Sequence, residues 1–221
     1  MNIFSQIIIP IFVILVSLTF HEASHALVAD RLGDPTAKYQ GRLSLNPLVH
    51  IDPFGTVLLP LLLAIIGAPV FGWAKPVPVN LNYLKNPKRD DGIIAAAGPG
   101  SNLLLALVSA IGIRVLFLAN PNWNMSNFGN VLFLVLFYFI IINVILMLFN
   151  LIPFPPLDGS AILEAFLPAH LAFKLHKIKR YGFVILILLI FTGLLNQLYF
   201  SPIGGLFIMG FDYIAGLHGT Q

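Results

Sequence analysis

With 221 residues, 58% of them hydrophobic and 10% charged, and a mean hydropathy of +0.91, the chain is too apolar for a soluble domain and reads as a polytopic membrane protein. The net charge of +3 is small and no basic stretch is interleaved with aromatics, which argues against a nucleic-acid partner. There is no cysteine, so any bound metal must take nitrogen and oxygen ligands.

The first apolar run predicts a span over 7–29 that ends at Asp30-Arg31, with Pro10 in its first turn where a missing N–H costs little. No Lys or Arg precedes it, so it reads as a retained span rather than a secretory signal. Residues 36–52 are mixed. Gly41 between two short alternating pieces predicts a hairpin, and Asn46-Pro47 and Asp52-Pro53 predict turns. The run 56–70, with Pro60 inside it, is short for a span and reads as a re-entrant or interfacial segment. From Trp73 to Asn80, prolines at 76 and 78 exclude a central strand and fit an edge strand.

Further spans are predicted at 92–119, 131–152 and 181–199. The second opens with a run of small residues over 95–102 that lets another helix approach closely. The third breaks at Pro153-Phe154-Pro155-Pro156-Leu157-Asp158-Gly159, after which 160–167 fits a short helix and 170–180 a basic loop. Residues 203–217 are too short to assign as a span.

Charge placement orients these segments. Arg31, Lys38, Arg42, Lys75, Lys85, Lys88 and Arg89 fall between the first and second spans, and Lys174, Lys177, Lys179 and Arg180 between the third and fourth. If 56–70 does not cross, all lie on one side, which the positive-inside rule makes cytoplasmic. Arg114 alone dissents, close enough to its span end to snorkel. The expectation is a multi-pass protein of the cell membrane.

Within the first span sits His21-Glu22-Ala23-Ser24-His25. Histidines four apart share a helix face and can ligate one zinc ion, while Glu22 is placed to take a proton from water activated at that metal. An ionisable cluster inside a membrane-length segment is expensive and points to function. A catalytic zinc site needs a third protein ligand. Besides Asp158, the candidates are His50, Asp52, Glu164, His170 and His176. Asp158 is favoured because it follows a proline-made break, where unwound backbone at membrane depth must line a cavity or pack in protein. Its alternative role is an N-cap for the following helix. His170 and His176 belong to the basic loop and read as solvated. His50 and Asp52 sit in turn-like surroundings that suit a polar interfacial role. Asn102 fits either an oxyanion contact or hydrogen bonding between helices.

The motifs at 20–26 and 150–159 resemble the paired signatures of the site-2 protease family of intramembrane zinc metalloproteases. Gly98-Pro99-Gly100-Ser101-Asn102 is similar to the small-residue motif of that family's middle core helix, and 45–53 to a stretch of its compact members. The resemblance covers about 20–159 and is to the compact form, without an inserted PDZ-like domain or a nucleotide-binding (CBS) tail. It departs from the family at Ser24 and Ser160, where many members carry Gly. It implies that His21, His25 and Asp158 hold one zinc per chain, that Glu22 is the catalytic base, and that Asn150 contacts substrate or oxyanion. The implied substrate is a membrane-anchored protein with a transmembrane helix, cut within or near that helix in regulated intramembrane proteolysis. The expected fold is one α-helical polytopic domain over 1–221. It has a three-helix catalytic core, a small membrane-associated β-hairpin or edge strands, and an additional C-terminal transmembrane helix. The rival readings are a metal-ion transporter using the same residues as a relay and a non-catalytic relative that binds transmembrane helices.

Overall fold

The computed structural model describes residues 3–68, 72–195, 197, 201 and 203–217. Its helices are α1 (Ile3–Leu32), α2 (Thr36–Tyr39), a π-helical turn Pro53–Leu58 running into α3 (Leu59–Ile65), α4 (Pro87–Ala119), α5 (Asn127–Leu151), α6 (Asp158–Phe166), α7 (Ala169–Phe191) and α8 (Gly205–Ala215). Among the described residues, three helices are long and apolar enough to cross a membrane: α1, α4 and α5. They match the first three predicted spans to within a few residues: α4 and α5 each begin earlier than expected, and α5 ends at Leu151, one residue short.

The side-chain pattern of α4 explains its setting. Leu104, Val108, Ile111, Val115 and Leu118 recur every three or four residues and are exposed, whereas Ala106, Ala110 and Ile113 are buried. Large apolar groups outside and small ones inside reverse the arrangement of a helix in water; they fit a helix solvated by lipid and packed closely on its neighbours. The buried face meets Ile140, Val144, Met147 and Leu148 of α5 and Phe211 and Ala215 of α8. At the other end of α4, Gly92 lies so close to α6 that an added Cβ would stand 2.6 Å from the Cβ of Ala165. Helix α1 closes at Gly33, whose φ of 110° lets the Asp34 N–H reach the Ala29 carbonyl at 2.9 Å.

The proline-rich break between α5 and α6 turns tightly. A Cβ on Gly159 would meet the carbonyl oxygens of Ile152 and Leu151 at 2.4 Å. Gly182 of α7 comes equally close to the Pro155 carbonyl, so α7 leans on the break and holds it.

Two expectations are corrected. No β-hairpin or edge strand forms among the described residues: 36–39 is helical, and 72–80 has no regular secondary structure. The reason lies in the segment's donors. The N–H groups of Trp73, Lys75 and Val77 go to the Gly55 carbonyl, the His50 carbonyl and the Glu22 carboxylate, and Pro76 and Pro78 have none. The predicted basic loop is the first half of α7, because charge alone does not break a helix and no proline interrupts 169–191. The apolar part of α7, 181–191, is only about 16 Å long, so the predicted fourth span is not among the span-length helices. Its far end, at 196 and 198–199, lies outside the described residues, as do 69–70 at the end of the predicted re-entrant segment. Helix α8 is likewise short and packs on α4 and α5. Arg114 lies against Gly216 just past the end of α8, where helix carbonyls favour a cation.

Candidate metal centre

One turn of α1 carries His21, Glu22 and His25, and α6 opens with Asp158. The break at 152–157 folds α6 back toward α1, and the result is compact. The two histidine Nε2 atoms are 3.1 Å apart. Asp158 Oδ2 lies 3.2 Å from His21 Nε2 and 3.4 Å from His25 Nε2. Among the described residues these side chains form the group able to hold a metal ion.

The donors fit zinc. Tetrahedral coordination at about 2.0–2.1 Å per bond requires ligand atoms about 3.3 Å apart, which the three separations match. The protonation pattern agrees. His25 Nδ1 is 2.7 Å from the Ile94 carbonyl, which can only accept, so Nδ1 carries a proton and the neutral ring offers its lone pair at Nε2. Asp158 Oδ2 is buried and receives no hydrogen bond. Lone pairs facing one another at such distances repel unless a cation lies between them.

Helix α4 supports both rings. His21 Nδ1 lies 2.7 Å from Asn102 Oδ1. Such contacts fix ring orientation in metal sites. They are possible because Gly98 lets α4 approach: a Cβ there would lie 2.5 Å from His21 Cε1 and from His25 Nε2. Pro99 adds a local interruption, since it has no N–H for the Ala95 carbonyl.

A cavity of about 790 Å³ opens beside the triad, bounded by Trp73, Val77, Phe149, Asn150 and Phe183. Glu22 is on its wall and accepts a hydrogen bond from the Val77 N–H at 3.0 Å. Asn150 is also on the wall, with Nδ2 donating to the Leu146 carbonyl at 2.9 Å. Asn102 is fully buried beside the triad, and its Nδ2 donates to Asn143 Oδ1 at 2.8 Å. Its oxygen and one of its two N–H groups are therefore engaged.

The remaining candidates lie elsewhere. The His50 ring donates to the Ser44 carbonyl, and Asp52 caps the π-helical turn through the N–H groups of Phe54 and Gly55. Glu164 pairs with Lys179, 3.2 Å away. His170 is exposed on α7, and His176 is on the same helix.

Sequence reasoning missed four supports. Asn143 and Ser17 continue the hydrogen-bond chain behind Asn102. Buried Arg42 donates to the carbonyls of Val49, Lys75 and Pro76 and holds the extended segment against the site. The Val77 N–H is a backbone group and carries no side-chain signal. Asn143 did carry one, as a lone amide two turns before Asn150 in the most apolar span.

A helical membrane protein with a buried two-histidine, one-carboxylate centre and a second carboxylate beside it is built as a metal-dependent hydrolase. Comparison with known proteins gives the particular family. The signature of peptidase family M50 matches residues 124–193. A Bacillus subtilis (strain 168) protein named "Putative zinc metalloprotease YwhC" is 41% identical over 181 residues, covering 82% of this chain and 79% of the relative. "Putative zinc metalloprotease Rip2" of Mycolicibacterium smegmatis is 32% identical over 193 residues, covering 85% of this chain and 68% of the relative. The Rip2 protein of Mycobacterium tuberculosis (strain H37Rv) is 30% identical over 193 residues, with 87% and 70% covered. No solved structure gives a significant match. The chain belongs to peptidase family M50, the site-2 protease family, and is a zinc metalloprotease.

Proposed function

We propose that this zinc metalloprotease hydrolyses a peptide bond within or near the transmembrane segment of a membrane-anchored protein. The observation that carries this is the position of the triad. His21 and His25 lie inside a span-length helix, with Glu22 about 13 Å along it from Arg31, and the cavity beside them is walled mainly by apolar side chains. A peptide bond reaching this centre must come from the membrane.

In this reading His21 and His25 of α1 and Asp158 of α6 are the zinc ligands, with one ion per chain. Zinc held there supplies Lewis acidity that lets water ionise near neutral pH. Glu22 takes the proton from the attacking water and returns it to the leaving amine. The Val77 N–H bonds Oε2 of that carboxylate, which orients it and leaves Oε1 for the proton. Asn150 uses one N–H of its amide on its own helix; the other is free for the oxygen of the scissile carbonyl as negative charge develops. Asn102 supports His21 rather than the oxyanion, because it is fully buried behind the rings and, unlike Asn150, is not on the cavity wall. A helical substrate hides its carbonyls in its own ladder, so the segment unwinds before it is cut.

The basic ends of α1 and α4 and the basic first half of α7 support a site nearer the cytoplasmic face of the cell membrane, with the α4–α5 connection outside. A metal transporter is the rival, and it needs no general base.

The test is to incubate purified protein in bilayers with membrane-anchored candidate substrates and to locate the cuts by mass spectrometry. Cleavage inside or beside the transmembrane segment, lost on zinc chelation and restored by zinc, is the expected result. Cuts confined to soluble regions, or zinc flux without cleavage under any condition, would overturn the proposal.

A further inference from the structure

Behind the triad runs a buried chain of polar side chains that crosses three helices. His21 Nδ1 meets Asn102 Oδ1 at 2.7 Å. Asn102 Nδ2 meets Asn143 Oδ1 at 2.8 Å. Asn143 Nδ2 meets both Ser17 Oγ and the Phe139 carbonyl, each at 2.8 Å. Ser17, Asn102 and Asn143 are completely shielded from solvent, so no water can substitute for a missing partner.

The direction of this chain matters because an amide can face either way. Asn102 alone cannot settle it. Turned one way it accepts from a proton on His21 Nδ1. Turned the other way it donates to Nδ1, which moves the ring proton to Nε2 and removes the lone pair that faces Asp158. Ser17 cannot settle it either, since a hydroxyl both donates and accepts. The Phe139 carbonyl can only accept. It therefore draws Asn143 Nδ2 toward itself, which turns Asn143 Oδ1 toward Asn102. Asn102 must then present Nδ2 to Asn143 and Oδ1 to His21. His25 needs no such relay, because the Ile94 carbonyl faces its Nδ1 directly.

We infer that Asn143 is a positioning residue that, anchored on the Phe139 carbonyl, fixes the Asn102 amide and so holds His21 in the Nδ1–H tautomer with Nε2 free for the metal. The inference rests on the ligand assignment proposed above and adds the device that keeps one of those ligands ready. The device lies on α5, the helix that supplies no metal ligand.

The experiment reads the tautomer directly. Nitrogen-15 spectra of histidine-labelled, metal-free protein in bilayers should show His21 protonated on Nδ1 at neutral pH in the wild type. In Asn143→Leu the Nε2–H form should become populated, and zinc affinity, measured by chelator competition, should fall about 10- to 100-fold. Ser17→Ala should leave tautomer and affinity within about threefold of wild type, since the Phe139 carbonyl still anchors Asn143. Asn102→Asp combined with Asn143→Leu should recover the Nδ1–H form, because a carboxylate can only accept. A wild-type His21 protonated mainly on Nε2 overturns the inference without any variant. So does an Asn143→Leu protein that lowers thermal stability while tautomer and affinity stay unchanged, the signature of packing alone. Asp158→Ala, assayed in parallel, separates the two levels: zinc lost there but kept in Asn143→Leu defeats the relay only, whereas zinc kept in Asp158→Ala defeats the ligand assignment.

Discussion

Gly98→Ala places one methyl group at the closest approach of α4 to the metal centre. Its Cβ would sit 2.5 Å from His21 Cε1 and His25 Nε2, whereas carbon and nitrogen atoms rest at about 3.5 Å. About 1 Å must be found. If α4 retreats, the contacts from His21 to Asn102 and from His25 to Ile94, both 2.7 Å now, lengthen past hydrogen-bond range. If the rings yield instead, two donors leave positions that tolerate about 0.5 Å of error. Either route adds about 1–3 kcal/mol of overpacking, and zinc affinity should fall about 10- to 100-fold. Gly100, two residues along the same helix, is the control, since a Cβ there meets nothing within 4 Å. Gly100→Ala should raise stability by about 0.5–1 kcal/mol through helix propensity and leave zinc binding alone. Chelator competition and thermal unfolding of the two variants decide it. Gly98→Ala with wild-type zinc affinity would refute the close-approach argument.

Other predictions follow from particular contacts. Asp158→Ala should lose bound zinc, measured by elemental analysis after gel filtration; a full equivalent retained would remove Asp158 from the ligand set. Burial pushes the Asp34 pKa up, but the Thr36 hydroxyl and the Asn80 and Thr36 N–H groups outweigh it and hold the carboxyl below 3.8. Its stabilisation is therefore complete above the unfolded value of about 3.9 and is lost as pH falls through the lower folded value. The unfolding-midpoint advantage of wild type over Asp34→Asn should be constant above about pH 5 and shrink below about pH 4; an advantage unchanged down to pH 2 would contradict this. The chain has no cysteine, so single cysteines at Asn124 and Lys177 should label from opposite faces of the membrane, and labelling of both from one face would overturn the topology.

How much of this was legible in the sequence depended on how far each contact reaches. The four-residue spacing of His21 and His25 is a property of one helix, and their shared face is present in the structure. Asp158 was reachable because the prolines before it announce a break, and a break at membrane depth needs a reason. The strands over 36–52 and 73–80 were misread for the opposite cause. Alternating prolines describe an extended shape, but pairing depends on where the N–H groups go, and Trp73, Lys75 and Val77 spend theirs on Gly55, His50 and Glu22. The basic segment before 181 looked like a loop by charge, although its residues are ordinary helix formers. The motif draws attention to Asn102, which lies beside His21, but only the neighbouring helix shows that Asn143 occupies the other side of its amide.

If the buried centre is a protease site, Glu22 moves the proton without holding the metal. Glu22→Gln keeps the shape of the side chain and removes its basicity. Zinc content and cleavage of a membrane-anchored substrate, measured on the same bilayer preparations of wild type and variant, separate the two roles. One zinc per chain in both, with cleavage by the wild type alone, is the expected result. A zinc-loaded Glu22→Gln protein that still cuts at the wild-type rate would contradict it.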